Sequence, residues 1–488
     1  MAGVRGGPPF LLKEGRLLLR KHQRYIMFIG REEELRSLRE HYDSDRFEFA
    51  VVYGRRRVGK TTLIRRFAGG RKNIYYMAME GTARENLAGL SGAVLSQPAD
   101  GPVFRDYSAL LDYVDQISRS GERLLFIIDE YPYLAAAYPA ISSLIQQHID
   151  LCWKEGRLFL ILCGSSMSFM EKQVLGYKSP LYGRRTLQCR LRPFTLFEAV
   201  PMLSSWSSED AALLYGVTGG IPEYLDCLNS SLSVDDNLQE SFFHPNGRLF
   251  EEPVNLLKQE LREPASYHSI LSAIAGGASR LNEIAQKCGL ETSGCSAALQ
   301  SLIALGIVRK EVPVTEKETS RRTIYSLEDG MFQFWYRFVR PYQGSVAMGM
   351  GAVVYNQAVK PHLSDYMGHV FEEICRQYLF LPEVYTSFPF LYAKVGRWWG
   401  TNPGLKQQEE VDLVALGENA LLLCECKWRK EKVNVNVAQT LLRRGDLFPY
   451  AQKAYCIFSK SGFDERTAEY ASEHGIRLIS YENMLEMP

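Results

Sequence analysis

Phe49-Ala50-Val51-Val52-Tyr53 runs straight into Gly54-Arg55-Arg56-Arg57-Val58-Gly59-Lys60-Thr61, and a helical stretch follows from Thr62 to Phe67. The first segment reads as a strand. The second has the phosphate-binding pattern G-x-x-x-x-G-K-[ST]. Gly54 and Gly59 permit a tight loop whose backbone N–H groups turn inward towards phosphate oxygens. The spacing brings Lys60 within reach of the β- and γ-phosphates and the Thr61 hydroxyl onto Mg²⁺. Thr62 opens the helix behind the loop and is counted with the cofactor-binding residues, because that helix N-terminus adds partial positive charge. Strand, loop and helix together predict an ATP and Mg²⁺ site on a parallel α/β sheet.

A second element supports this reading. Leu124-Leu125-Phe126-Ile127-Ile128 is a continuous apolar run that ends in Asp129-Glu130. Such a run suits a strand buried on both faces. An acid at its C-terminal end is placed to hold Mg²⁺, and the Glu after it to polarise an attacking water. Further runs at Ile74–Met77 and Leu158–Leu162 alternate with helical patterns, which predicts a parallel sheet covered on both faces. The last run leads into Cys163-Gly164-Ser165-Ser166, where Ser165 is placed to sense the γ-phosphate. Ser179 to Arg185 supplies Arg184 and Arg185. Arg184 is a candidate to stabilise charge on the transferred phosphoryl group, with ordinary surface pairing as the alternative. Leu191 to Leu225 is helix-rich and broken at Gly219-Gly220-Ile221-Pro222, as a lid would be.

Composition bounds the rest. The chain has 488 residues, which predicts three domains at about 100–200 residues each. A net charge of +1 gives no global basic field, so contact with nucleic acid would rest on local patches. The ten cysteines form no C-x-x-C pair and read as reduced core residues. No apolar run approaches the length of a membrane span, so a cytoplasmic protein without membrane contact is expected. Residues 1–26 precede every motif and are expected to be a poorly ordered prefix.

Residues 27–260 form the first region. In the second, 261–330, three helical patterns at Ser269–Ile274, Leu281–Cys288 and Ser296–Leu305 fit a helix-turn-helix. Ile307-Val308 and Thr323-Ile324-Tyr325 fit the strands of a wing around Lys317, Arg321 and Arg322. The presumed recognition helix, Ser293 to Leu305, carries no Lys or Arg, so DNA contact and a purely structural or protein-docking role both stay open. Residues 331–360 open on the aromatic stretch Met331 to Tyr336, expected as a buried helix linking the domains.

Region three, 361–488, contains Glu410-Val411-Asp412 and Glu425-Cys426-Lys427 on two strands joined by a turn at Gly417-Glu418-Asn419. A turn centred between Glu418 and Asn419 sets Asp412 opposite Glu425 and Glu410 opposite Lys427. Period-two alternation then gathers Asp412, Glu425 and Lys427 on one face. Two carboxylates suit Mg²⁺ and a Lys can handle the attacking water. Glu372 or Glu373, on a preceding helix, can add a contact. The alternative is a salt-bridged strand face.

Region one resembles the archaeal-type ATPase family, a branch of the P-loop ATPases close to AAA+ and STAND proteins. Phe28-Ile29-Gly30-Arg31-Glu32, the phosphate loop, Ile128-Asp129-Glu130, Gly164-Ser165-Ser166, Ser179 to Arg184 and Gly219-Gly220-Ile221-Pro222 carry the likeness. The resemblance implies a nucleotide contact from Arg31 and a lid over the nucleotide at Pro222. Region three is similar to the C-terminal domain of unknown function that commonly follows this ATPase, through Gly396-Arg397-Trp398-Trp399-Gly400, Glu410-Val411-Asp412 and Glu425-Cys426-Lys427. Asp…Glu-x-Lys is also the PD-(D/E)XK pattern of restriction-endonuclease-like folds. The expected fold is therefore a P-loop NTPase sheet with a helical lid, a winged helix, and a restriction-endonuclease-like α/β domain. The leading expectation is a Mg²⁺-dependent ATPase coupled to a nuclease-like domain acting on DNA, with catalytic Glu130, Arg184 and Lys427 and metal ligands Thr61, Asp129, Asp412 and Glu425. The alternative is an ATP-driven regulatory or assembly switch with an inactive docking domain. A transcription regulator is the weakest reading. Assembly into a homo-oligomer is left open.

Overall fold

The computed structural model describes residues 28–97, 101–261 and 263–486, so the expected prefix lies outside the described residues. Five strands build the first sheet: β1 (Glu48–Tyr53), β2 (Asn73–Met77), β3 (Leu125–Asp129), β4 (Phe159–Gly164) and β5 (Leu187–Arg190). All pairings are parallel, in the order β2-β3-β4-β1-β5. Every residue of β1, β3 and β4 is buried, as continuous apolar runs covered on both faces require. After β1 the chain crosses to the far edge, so a crevice opens at the C-terminal end of β1, where α/β folds bind ligands. The lid region is helical at Leu196–Leu203, Ser208–Thr218, Pro222–Leu225, Val234–Phe242 and Glu252–Glu260.

Next come three helices, Pro264–Ala275, Leu281–Cys288 and Thr292–Ala304, and an antiparallel ribbon of β6 (Val308–Glu311) and β7 (Ile324–Leu327). Ile270, Ile284, Leu299 and Leu302 close a small apolar centre among them. The aromatic stretch that follows is buried: Phe334 packs on Phe242, Phe243 and Tyr366, and the Trp335 indole N–H donates to the Phe250 carbonyl at 2.7 Å. One hydrophobic core thus runs from the lid through the middle helices into the helix Leu363–Tyr378.

The C-terminal α/β domain has a mixed sheet ordered β12-β11-β10-β9-β8, from β8 (Lys394–Asn402), β9 (Gln407–Leu416), β10 (Ala420–Lys427), β11 (Gln452–Ser459) and β12 (Ile476–Ser480). β8, β9 and β10 pair antiparallel; β10, β11 and β12 pair parallel. Leu422, Cys424 and Cys426 on one face of β10 join the core that includes Phe371 and Ile374 of helix Leu363–Tyr378. Leu421 and Leu423, on the other face, pack with Ala438 and Leu441 of helix Val435–Gly445. No helix among the described residues is long and apolar enough to cross a membrane.

Candidate functional site

The loop leaves the C-terminal end of β1, and Gly59 enters the helix Lys60–Ala68 at φ 89, a backbone setting that glycine adopts without strain. Lys60 is buried, and its ammonium donates to the carbonyls of Gly54 and Arg55, both at 2.9 Å. Burial pushes its pKa down. The Thr61 hydroxyl donates to Asp129 Oδ2 at 2.8 Å, so the two oxygens expected on Mg²⁺ meet across the crevice. Tyr75, which the sequence did not single out, donates to the same Asp129 oxygen at 2.7 Å. Burial, then Asp129, raises the Tyr75 phenol pKa, which keeps it a donor. This set of hard oxygen donors fits Mg²⁺. Thr61 and Asp129 would hold the ion, which would neutralise charge on phosphate oxygens.

Glu130 follows in the left-handed region at φ 50, ψ 43, and opens the helix Tyr131–Ala137. Its Oε2 accepts from the Ser165 N–H at 3.3 Å and from the Ser165 hydroxyl at 2.8 Å. Ser165 therefore positions Glu130 at the end of β4. Thr62 lies in the first turn of the loop helix, with its side chain exposed. Pro222 starts the helix Pro222–Leu225, and the neighbouring Glu223 N–H approaches the Arg57 carbonyl at 3.5 Å. The lid break thus touches the loop.

Two expectations change. Arg31 is buried; its Nη2 donates to the carbonyls of Val58 at 3.1 Å and Arg192 at 2.5 Å, and its Nη1 lies 3.4 Å from Glu34. It also lies 4.5 Å from the Phe194 ring centre. It braces the loop from behind. Arg184 pairs with Asp150 at 2.5 Å, at the end of the helix Ile141–Leu151. The Thr186 N–H nearby bonds the Phe49 carbonyl, near the start of β1. β1 is six residues long, which places Arg184 about 17 Å from the loop, at the opposite end of the strands. It does not meet a nucleotide bound by its own chain.

The three loop arginines are each paired with acids from outside the sheet. Arg55 is buried against Asp329, which also caps the helix Gly330–Phe334. Arg56 lies 3.1 Å from Glu260. Arg57 reaches Glu223 at 2.6 Å and Glu252 at 2.7 Å. These arginines occupy variable positions of the loop pattern, and nothing in the sequence spacing points to their partners.

In the C-terminal domain the β9–β10 ladder pairs Leu421 with Leu416 and Cys424 with Leu413. The ladder ends at that pair, in the register expected from the turn, with Asp412 and Glu425 one step beyond it. There the Asp412 carboxylate replaces the backbone acceptor, taking the Cys426 N–H at 2.8 Å. Lys427 Nζ lies 2.5 Å from Glu425 and 3.6 Å from Asp412. Arg444, on helix Val435–Gly445, bonds the other Glu425 oxygen at 2.9 Å and the buried Glu409 at 2.9 Å. Burial, then Asp412, raises the Glu425 pKa. Burial lowers the Lys427 pKa, but Asp412 and Glu425 outweigh it and the net direction is up. Both oxygens of Glu425 are held by cations. Among the described residues no group of three or more His, Cys, Asp or Glu is arranged to hold a metal. The donor set here does not fit Mg²⁺ as it stands. Glu372 is not drawn in: it lies by Arg397 and His369, while Glu373 pairs with Arg309 and Arg376.

Residues 28–228 match the model of an ATPase domain found predominantly in Archaea. Residues 335–438 match archaeal and bacterial proteins of unknown function. An uncharacterized protein of Methanocaldococcus jannaschii is 32% identical over 440 residues, covering 89% of this chain and 96% of the relative. An uncharacterized ATP-binding protein of the same organism is 43% identical over 47 residues, or 10% of this chain and 80% of its own length. Among solved structures, a Walker-type ATPase of Pyrococcus abyssi aligns at TM-score 0.48 and 21% identity, over 64% of this chain and 96% of its own. The ORC2 protein of Aeropyrum pernix aligns at 0.43 and 16%, over 67% and 97%.

Proposed function

Given that the chain belongs with its Methanocaldococcus jannaschii relative and carries an ATPase domain found predominantly in Archaea, we propose that it is a Mg²⁺-dependent ATP hydrolase acting as a regulatory switch. Lys60 and the loop N–H groups bind the phosphates. Glu130 polarises the water. The observation that carries the switch is the fan of loop arginines: Arg55, Arg56 and Arg57 tie the phosphate loop to Asp329, Glu260, and Glu223 with Glu252. A phosphate arriving in the loop enters this charge balance, so occupancy bears on the elements that follow. We read the three helices and the β6–β7 ribbon as a winged helix that receives the change.

Hydrogen exchange on the full chain tests this. Protection in 264–304 should change with an ATP analogue in wild type and not in Lys60→Ala. Protection that ignores nucleotide in wild type would refute the switch. Glu130→Gln should still bind ATP and turn it over slowly.

A second reading keeps the C-terminal domain as a nuclease-like fold acting on DNA. The convergence of Asp412, Glu425 and Lys427 on one strand face favours it. The double hold on Glu425 by Lys427 and Arg444 favours the docking role instead. Incubation of the wild type with single- and double-stranded DNA in Mg²⁺ or Mn²⁺ decides. Cleavage that Glu425→Ala abolishes, with ATP turnover intact, establishes the nuclease. No cleavage with or without ATP leaves the docking role.

A further inference from the structure

Arg56 is the third residue of the phosphate loop, and its surroundings go beyond a structural tether. Its Nε lies 3.1 Å from Glu260 Oε1, and Nη2 donates to the Tyr133 hydroxyl at 3.0 Å. Tyr133 belongs to the helix that Glu130 opens, and its N–H bonds the Glu130 carbonyl at 3.0 Å. The Arg56 side chain is thus held beside the water-polarising end of β3. Glu260, the last residue of the helix Glu252–Glu260, is only 10% exposed. It lies within electrostatic reach of Lys60 and Glu130 as well as of Arg56. A carboxylate drawn towards two cations, next to the catalytic acid, has the charge type of a γ-phosphate. The other candidate cation, Arg184, is at the opposite end of the strands and paired with Asp150.

We propose that Arg56 is the in-chain cation that contacts the γ-phosphate of ATP, and that Glu260 is a built-in competitor holding Arg56 when that phosphate is absent. The inference rests on the ATPase reading above. ADP has no γ-phosphate and leaves the pair closed. ATP takes Arg56, and Glu260, now a like charge beside the phosphate and Glu130, must move away. Its helix runs towards Pro264–Ala275, so the displacement passes to the middle helices. Burial raises the Glu260 carboxyl pKa against the pull of Arg56 and Lys60, so part of the pair's attraction offsets the cost of burying the carboxylate.

The test is equilibrium binding of fluorescent ADP and a fluorescent non-hydrolysable ATP analogue to the full chain, with Lys60→Ala as the control. If Glu260 leaves Arg56 free in about a tenth of empty molecules, Glu260→Gln tightens the ATP analogue about tenfold and changes ADP less than about twofold. Arg56→Ala should weaken the analogue and spare ADP. In the Arg56→Ala background, Glu260→Gln should have no further effect. If the glutamine variant does not fold, Arg56→Lys reads the same preference: it should lower the ATP-to-ADP ratio, because an ammonium cannot meet the phosphate with a planar fork. A purely structural pair shifts both nucleotides together with the melting temperature, and that result overturns the proposal. So does a Glu260→Gln effect that survives loss of Arg56. If Lys60→Ala binds nucleotide as well as wild type, the ATPase reading itself fails. If Lys60→Ala fails to bind while Glu260→Gln leaves the ratio unchanged, only the present inference fails.

Discussion

Asp329→Asn isolates the most deeply buried of the loop's ion pairs. Arg55 is 9% exposed and Asp329 6%, Asp329 is bonded by Nη1, and among the described residues Arg55 Nε and Nη2 have no hydrogen-bond partner. Asparagine is as good an N-cap as aspartate, so the helix Gly330–Phe334 keeps its cap and only the countercharge is lost. Removing one partner of a buried pair costs about 3–5 kcal/mol, and retention of a neutral acceptor puts this variant near about 3 kcal/mol. For a unit of roughly 150–250 residues that is a fall in melting temperature of about 6–12 °C. Scanning calorimetry on the full chain reads it. Adding Arg55→Met removes the orphaned guanidinium and sets an apolar chain near Phe332, which lies 5.9 Å from the Arg55 guanidinium. The double variant should recover more than half of the loss. A fall below about 2 °C for Asp329→Asn, or a double variant no better than the single, would refute the claim that Arg55 depends on Asp329.

Arg184→Ala should leave ATP turnover at the wild-type rate, because the structure assigns Arg184 to Asp150 at the end of the strands away from the loop; a steady-state ATPase assay that shows a large loss would contradict that placement. Gly220→Ala should destabilise the lid by about 1–3 kcal/mol, since Gly220 has φ +68 and an added Cβ would lie 2.1 Å from the Phe194 carbonyl oxygen; calorimetry checks it. Glu373 gives a pH signature. Burial raises its pKa, but Arg376, Arg309 and Gln377 outweigh burial and hold the carboxyl below its ordinary value. A depressed carboxylate contributes stability above the unfolded value, about 4.3, and loses it as pH falls through the folded one. The melting-temperature gap between wild type and Glu373→Gln should therefore be full at neutral pH and shrink in acid. A gap that widens in acid would contradict the assignment.

What was legible in the sequence was local. The phosphate loop announces itself because strand, glycines, Lys60 and Thr61 are contiguous, and β3 because five apolar residues end in Asp129. β5, β8, β11 and β12 were not read. β5 is four residues long with a single buried position, so it carries almost no periodicity. β8 is mostly half-buried and rich in Gly and Trp rather than alternating. The acids that meet the loop arginines stand 166 to 274 positions away in sequence. Propensity and spacing hold no information at that separation; tertiary packing decides it. Arg184 stays open between phosphate contact and surface pairing for the same reason: proximity to a motif in sequence says nothing about which end of the strands a side chain reaches.

The C-terminal face shows where local reasoning stops short of chemistry. A turn and a period of two were sufficient to bring Asp412, Glu425 and Lys427 together, because strand register is a local property. Whether those carboxylates can take a metal depends on Arg444, nineteen residues beyond Glu425 on a helix whose rotation the strands do not dictate. The phosphate loop poses the same problem with the charges rearranged. There the acid Glu260 comes from a distant helix and holds a cation that a phosphate would need. In both sites a competent set of groups is contiguous and the residue that occupies it is remote. Function then turns on whether the remote partner lets go. Arg444→Met asks this of the C-terminal site: a Mn²⁺ titration that shows binding only in the variant would identify Arg444 as the occupant of a metal position. No binding in either protein would leave Glu425 as one member of a closed ion-pair network that fixes the helix to the sheet.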